Sequence, residues 1–183
     1  MPTRQKPILT VSEVQNVILD IRPILRGETT CIEIDYSLVP EKISGVEFDT
    51  ASVKGRVVDT GGCITLSLSA SVDYKSECAR CLEEVRGTFE MEFERTVADE
   101  KTLSEEALME EDGIYAVMKD GRLDVDDELI EELLLSFPTK LLCSEDCEGL
   151  CQKCGKPKRL GCDCSEKEID PRWAALKGLK LDE

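Results

Sequence analysis

Residues 64–95 read ITLSLSASVDYKSECARCLEEVRGTFEMEFER, and this stretch decides the fold. Ile64, Leu66, Leu68, Ala70, Val72 and Tyr74 recur at period two, and Val85, Gly87, Phe89, Met91 and Phe93 repeat the pattern further on. Such alternation marks β-strands with one buried face. Arg86, Thr88, Glu90, Glu92 and Glu94 occupy the opposite, solvated face of the second run. Two long strands in succession pair as an antiparallel meander, which places Cys78-Ala-Arg-Cys81 at the tip between them. A C-x2-C turn in that place is a zinc-knuckle arrangement, because its two sulfurs converge on one ion from a single tight loop.

Towards the N-terminus, Ile32, Ile34, Tyr36 and Leu38 alternate, as do Val53, Gly55 and Val57, and Asp59-Thr-Gly-Gly62 reads as a hairpin turn. Before them, Val11, Val14, Val17, Ile18 and Ile21 stand at helical spacing behind a Thr10/Glu13 capping box, which predicts a helix ended by Pro23. Towards the C-terminus the chain becomes acidic, with fourteen acids against three bases between residues 99 and 133. The first part of this stretch predicts a mobile acidic loop. Ile114 to Met118, Asp120-Gly121 and Arg122 to Val125 suggest a short hairpin. Leu129, Ile130, Leu133, Leu134 and Phe137 form a helical stripe, N-capped near Asp126 and stopped by Pro138. Asp170-Pro171 opens a last short helix running to Leu179.

The remaining cysteines carry the chemistry. Cys143-x3-Cys147-x3-Cys151-x2-Cys154 is followed by Cys162-x-Cys164. Four thiolates make one closed tetrahedral zinc site, so these six together with Cys78 and Cys81 predict two Zn2+ ions. Cys151-x2-Cys154-Gly155 carries a glycine that lets the chain fold back over a metal, and Cys162 and Cys164 follow closely enough to complete that site. Cys78, Cys81, Cys143 and Cys147 then form the other, joining the hairpin tip to the segment after the acidic helix across roughly sixty residues. Other pairings of the two-cysteine elements fit the spacing as well, and an iron-sulfur cluster uses the same ligands. Cys31 and Cys63 read as small, buried or half-buried strand residues.

The chain has 183 residues, a net charge of -16 and no histidine. The absent histidine removes Ser-His-Asp triads, Cys-His nucleophiles and histidine-based zinc hydrolases. The acidic surface repels phosphate backbones as a whole. Between Cys151 and Lys180, however, eight bases stand against four acids; this mildly basic knuckle reads first as ordinary solvated charge, and second as a surface for local contact with RNA. Trp173 reads as a core residue rather than a base-stacking one. No stretch of the sequence has the length of a membrane span, and the cysteine spacing without an export signal points to a reducing cytoplasm.

Cys78-x-Arg-Cys-Leu82 with Glu83-Glu84, the helix running into Phe137-Pro138, Cys143-x3-Cys147-x-Gly-Leu-Cys151-x2-Cys-Gly155, Cys162-x-Cys164 and Asp170-Pro-Arg-x-Ala-Ala-Leu-Lys177 together resemble the bacterial YceD family. The resemblance runs from about residue 60 to the end in a fixed order. It implies a cytosolic factor needed for accumulation of large-subunit ribosomal RNA, and it carries no catalytic residues with it. In the family, histidine replaces Cys143 and Cys147 in some relatives that lack the last four cysteines, which implies that the first site exists without the second. Where relatives with the last site have asparagines after Cys-Gly, this chain has Lys156-Pro-Lys-Arg159, so the loop is more basic.

The expected architecture is α+β: an antiparallel β-sheet or partial barrel with a covering helix in residues 1–142, and a cysteine-rich zinc-bound segment with a short helix in residues 143–183. The expected function is non-catalytic support of large-subunit rRNA accumulation, by binding a basic ribosomal protein or rRNA. No membrane partner and no small-molecule substrate are expected. The competing readings are a zinc-dependent RNA-processing enzyme, which closed four-thiolate sites disfavour, and a thiol or iron-sulfur redox sensor.

Overall fold

The computed structural model describes residues 8–11, 17–43, 45–103, 115–162 and 164. In chain order its elements are β1 (Ile8–Val11), β2 (Ile18–Asp20), α1 (Arg22–Leu25), β3 (Cys31–Leu38), β4 (Glu47–Phe48), β5 (Ala51–Asp59), β6 (Ile64–Glu77), β7 (Glu84–Asp99), β8 (Tyr115–Met118), β9 (Arg122–Asp124), α2 (Val125–Ser136) and a single 3-10 turn, Lys158–Leu160. The fold is α+β, with mostly antiparallel strands and few helices.

The two alternating runs of residues 64–95 form β6 and β7, paired antiparallel from Thr65↔Thr96 to Glu77↔Glu84. Leu66, Leu68, Ala70 and Val72 are buried on one face while Glu90, Glu92 and Glu94 are exposed on the other. This hairpin is the centre of a seven-stranded sheet ordered β1-β3-β5-β6-β7-β8, with β4 also on β6. The predicted turn at residues 59–62 joins β5 to β6, where the Gly62 N–H donates to Asp59 Oδ1 at 2.7 Å. Gly55 interrupts the apolar alternation of β5 for a steric reason. A Cβ there would run into the Ser67 carbonyl oxygen and lie 2.5 Å from Leu68 Cδ2, so only hydrogen fits.

Three features were not legible in the pattern. The edge pairs β1–β3 and β7–β8 are parallel. Residues 8–11 and 18–20 are strands, so the predicted helix through Val11, Val17, Ile18 and Ile21 is corrected; its middle, residues 12–16, lies outside the described residues. In β2 only Leu19 is buried and Ile18 is exposed, a period-two arrangement that a short apolar run does not separate from a helix. Pro23 opens α1 instead of ending a helix. The predicted acidic loop around residues 104–114 and the helix at residues 170–179 also lie outside the described residues.

The hairpin predicted at Asp120-Gly121 exists as a turn but not as a two-stranded ribbon. Asp120 and Gly121 have φ of 50° and 76°, the signs of a type I′ turn, and Lys119 and Arg122 exchange backbone hydrogen bonds at 2.9 Å. Beyond the turn, β8 continues the main sheet beside β7, while β9 leaves it to pair with β2. The small β2–β9 sheet and α2 together cover the apolar face of the large one. Leu19, Ile21, Leu123, Leu129 and Leu133 meet Ile34, Val53, Val57, Leu66, Leu68 and Val72 in one core.

Two polar tethers set α2 on that core. Asp124 is its N-cap, accepting from the Asp127 N–H, so the cap lies two residues before the predicted Asp126. Asp126 is instead buried, accepting from the Tyr36 hydroxyl at 2.5 Å and from the Val17 N–H at 2.8 Å. The tyrosine's own ionisation is pushed far up by burial and by that aspartate. Arg95 continues the inward face of β7 after Met91 and Phe93, with its side chain 1% exposed. It reaches Glu128 and Glu131 at 2.6 Å each and Glu132 at 3.3 Å. Much of the helix's acidic charge thus answers one buried guanidinium, because a buried charge must be paired.

Candidate metal centre

The tip of the β6–β7 hairpin is built by six residues, 78–83. The Cys78 N–H donates to the Glu83 carbonyl at 2.7 Å and the Leu82 N–H donates to the Cys78 carbonyl at 3.0 Å, closing a tight turn. The reversal puts Leu82 at φ 61°, a conformation that costs a non-glycine residue energy. The Arg80 N–H points at Cys78 Sγ, 3.5 Å away.

The other pair of thiols is delivered by the chain leaving α2. Phe137 ends the helix and packs edge-to-face against Phe48, Tyr74 and Phe89, with ring centroids 5.1 to 5.2 Å apart. This cluster sits on the half of β6–β7 nearest the tip and directs residues 138–142 towards it. The Leu141 carbonyl then accepts from the Ala79 N–H at 2.9 Å. Arg80 Nη1 donates to the Cys147 carbonyl at 2.7 Å and to that of Glu145 at 3.3 Å. Gly149 passes so near that a Cβ on it would touch the Arg80 carbonyl at 3.0 Å, and its φ is +78°.

These contacts gather Cys78, Cys81, Cys143 and Cys147 into one group with all sulfurs within 4.8 Å of one another. Cys78 Sγ lies 3.7 Å from Cys147 Sγ, and Cys81 Sγ lies 3.5 Å from Cys143 Sγ. A tetrahedron of sulfurs at about 2.3 Å from a zinc ion has edges of about 3.8 Å, so the group fits a single ion with little movement. Cys78, Cys81 and Cys147 are buried beside Val85, Leu142 and Leu150, and Cys143 is exposed.

Cys151, Cys154, Cys162 and Cys164 form a second group under the same 4.8 Å limit. Its first knuckle repeats the bonding of the hairpin tip. The Cys151 N–H donates to the Lys156 carbonyl at 2.8 Å, and the Gly155 N–H donates to the Cys151 carbonyl at 2.8 Å. Gly155, at φ +71°, takes the place that Leu82 takes in the first knuckle. The 3-10 turn over Lys158–Leu160 then carries the chain back to Cys162. The two knuckles are joined by an ion pair between Arg159 and Glu83 and by the Lys158 N–H donating to the Gly149 carbonyl at 2.9 Å. In this group Cys154 and Cys162 are exposed and the other two are half-buried.

The thiols in each group titrate apart. Burial opposes ionising Cys78, but backbone N–H groups, that of Arg80 first, draw it down to about 6. The N–H groups of Cys154 and Lys153 draw Cys151 down to about 6. The Glu83 N–H favours a thiolate at Cys81, yet burial and the bonds shared with Cys78, Cys143 and Cys147 push it up to about 12. The shared bond with Cys154, together with burial, pushes Cys164 up to about 12. Packed sulfurs cannot all carry charge without a cation among them, and a divalent ion removes that conflict.

Of the pairings that the spacing allows, the structure brings together Cys78, Cys81, Cys143 and Cys147, and Cys151, Cys154, Cys162 and Cys164, and each group can hold a metal ion with no further ligand needed. Cys31 and Cys63 belong to neither; Cys63 is exposed beside the β5–β6 turn, not buried or half-buried as predicted. What sequence reasoning missed is the backbone support. The Arg80 contacts to residues 145 and 147 and the Glu83–Arg159 bridge join positions some seventy residues apart, for which the local sequence carries no signal. Among the described residues, no helix is long and apolar enough to cross a membrane.

Comparison with known proteins places the same residues in one family. The family described as "Large ribosomal RNA subunit accumulation protein YceD" matches residues 66–180, a stretch that contains all eight clustered cysteines. An uncharacterized protein of Mycobacterium tuberculosis is 36% identical over 100 residues, covering 55% of this chain and 47% of that protein. The chain thus spans about half the length of that relative and of its equal match in Mycobacterium bovis. An uncharacterized protein of Mycobacterium leprae is 28% identical over 191 residues, covering 97% of this chain and 84% of that protein. No solved structure matches.

Proposed function

The chain belongs to the large ribosomal RNA subunit accumulation family YceD, and from that premise we propose that it is a non-catalytic zinc-binding factor in biogenesis of the large ribosomal subunit. The observation that carries the proposal is the pair of four-sulfur clusters inside the family's matched region. Each cluster supplies a full tetrahedral set, which suits zinc that organises structure. A catalytic zinc keeps a position open for water. Zinc here supplies the cross-links that hold residues 141–162 and Cys164 on the hairpin tip, while the sheet and α2 supply the body.

The mode of action follows from charge. A chain of net charge -16 attracts basic proteins over a distance and repels phosphate backbones. The factor holds a basic large-subunit ribosomal protein before that protein meets rRNA, or contacts rRNA through the second knuckle, where Lys153, Lys156 and Lys158 are exposed. It works in the cytoplasm, where its thiols stay reduced. Cells depleted of the protein test this reading. On a density gradient, large-subunit rRNA falls relative to small-subunit rRNA; an unchanged ratio refutes the proposal.

A further inference from the structure

The two clusters have one composition and unlike surroundings. In the first, Cys78, Cys81 and Cys147 are 0%, 4% and 7% exposed, roofed by the Arg80 bonds and by Gly149. Its single exposed thiol, Cys143, has only buried cysteines as neighbours. In the second, Cys154 and Cys162 are both exposed, and their sulfurs lie within 4.8 Å of each other. Oxidation of cysteine requires access for the oxidant, and forming a disulfide requires two sulfurs able to move to about 2.05 Å. Among the described residues, the second knuckle is also held differently. Among those residues it meets the body through the exposed Glu83–Arg159 pair and the Lys158–Gly149 backbone bond, whereas the first cluster closes onto the sheet itself.

We propose that the second cluster is an oxidant-sensitive metal clasp, in which a peroxide converts Cys154 and Cys162 to a disulfide and frees the ion, while the first cluster keeps its metal. One thiolate attacks a peroxide oxygen and breaks the O–O bond, giving a sulfenic acid and hydroxide. The second thiolate attacks that sulfur and expels a further hydroxide. Two protons from solvent convert the hydroxides to water. The two sulfurs lose two electrons and the peroxide gains them. Cys151 and Cys164 remain as two ligands, too few to retain the ion. A dithiol reductant and free zinc restore the clasp.

This inference rests on the zinc reading above, and the experiment separates the two. The reduced full-length protein is assayed for metal and then treated with hydrogen peroxide beside a chromogenic zinc chelator. The expected result is two zinc ions per chain at the start, release of half of them, and a Cys154–Cys162 disulfide in the peptide map. A protein that carries no zinc refutes the zinc reading and this inference with it. Two ions lost together, a disulfide within the first cluster, or full retention of both ions under peroxide refutes the inference alone.

Discussion

Opening the first cluster at Cys143 should destabilise the fold more than opening the second at Cys162. Both are exposed cysteines, so replacement by alanine leaves no buried cavity, and the difference between the variants reports the cross-link. The Cys81–Cys143 contact closes a loop of 62 residues. Treated as a covalent tie in the chain-entropy account, such a loop is worth about 4.3 kcal/mol, against about 2.5 kcal/mol for the short Cys154–Cys162 loop. The difference, about 2 kcal/mol, depends only on the logarithm of the two loop lengths. The loop through the first cluster also contains the whole of β7, β8, β9 and α2, so its closure restrains the unfolded chain in the region that forms the core. Urea unfolding of zinc-loaded, reduced protein, followed by far-ultraviolet circular dichroism, gives the midpoints and slopes. Cys143→Ala should lower the midpoint clearly, with Cys162→Ala between it and the parent. Equal midpoints for the two variants, or a parent-like Cys143→Ala, would refute the view that the first cluster staples the fold.

Three other outcomes follow from the same geometry. Leu82 is 62% exposed at φ 61°, so Leu82→Gly should stabilise the chain by about 1 kcal/mol in the same urea assay, and destabilisation would mean that its side chain matters more than its backbone. Arg95→Ala should cost about 3–5 kcal/mol because it strands Glu128, whose carboxyl burial already pushes up, whereas Arg95→Met with Glu128→Gln should recover much of the loss. In the metal-free reduced protein, thiolate absorbance should rise first with a midpoint of about 6 for Cys78 and Cys151. Both lie below the ordinary thiol value of 9.0, so their contribution to metal-free stability is complete above 9.0 and is lost as pH falls through about 6. A first step near 9 would show that the backbone N–H groups do not act on them.

The strands that build the body were legible because burial on one face writes itself as period two. Residues 64–95 do this over two long runs, and the burial of Leu66, Leu68 and Val72 against the exposure of Glu90 and Glu92 follows that pattern. Residues 8–21 misled for the converse reason. Two strands of four and three residues contain too few apolar positions to separate period two from period 3.6, and their partners, β3 and β9, are distant in sequence. Arg95 shows the same limit. Its place on the inward face follows from the alternation, but its neutralisation by Glu128, Glu131 and Glu132 depends on how α2 lies across β7.

For the clusters, the sequence pointed to thiolate chemistry, to two groups of four and to the two knuckle turns, because two sulfurs with two residues between them converge within one short loop whatever surrounds them. Only the tertiary structure decided which pairs meet. Cys143 and Cys147 reach Cys78 and Cys81 because Phe137 is held among Phe48, Tyr74 and Phe89, and because Arg80 ties down the loop that follows. It also decided which cluster is shielded. Exposure is a property of packing, and two sets of four cysteines came to differ in it, Cys78, Cys81 and Cys147 buried and Cys154 and Cys162 exposed, only when the chain between them was folded.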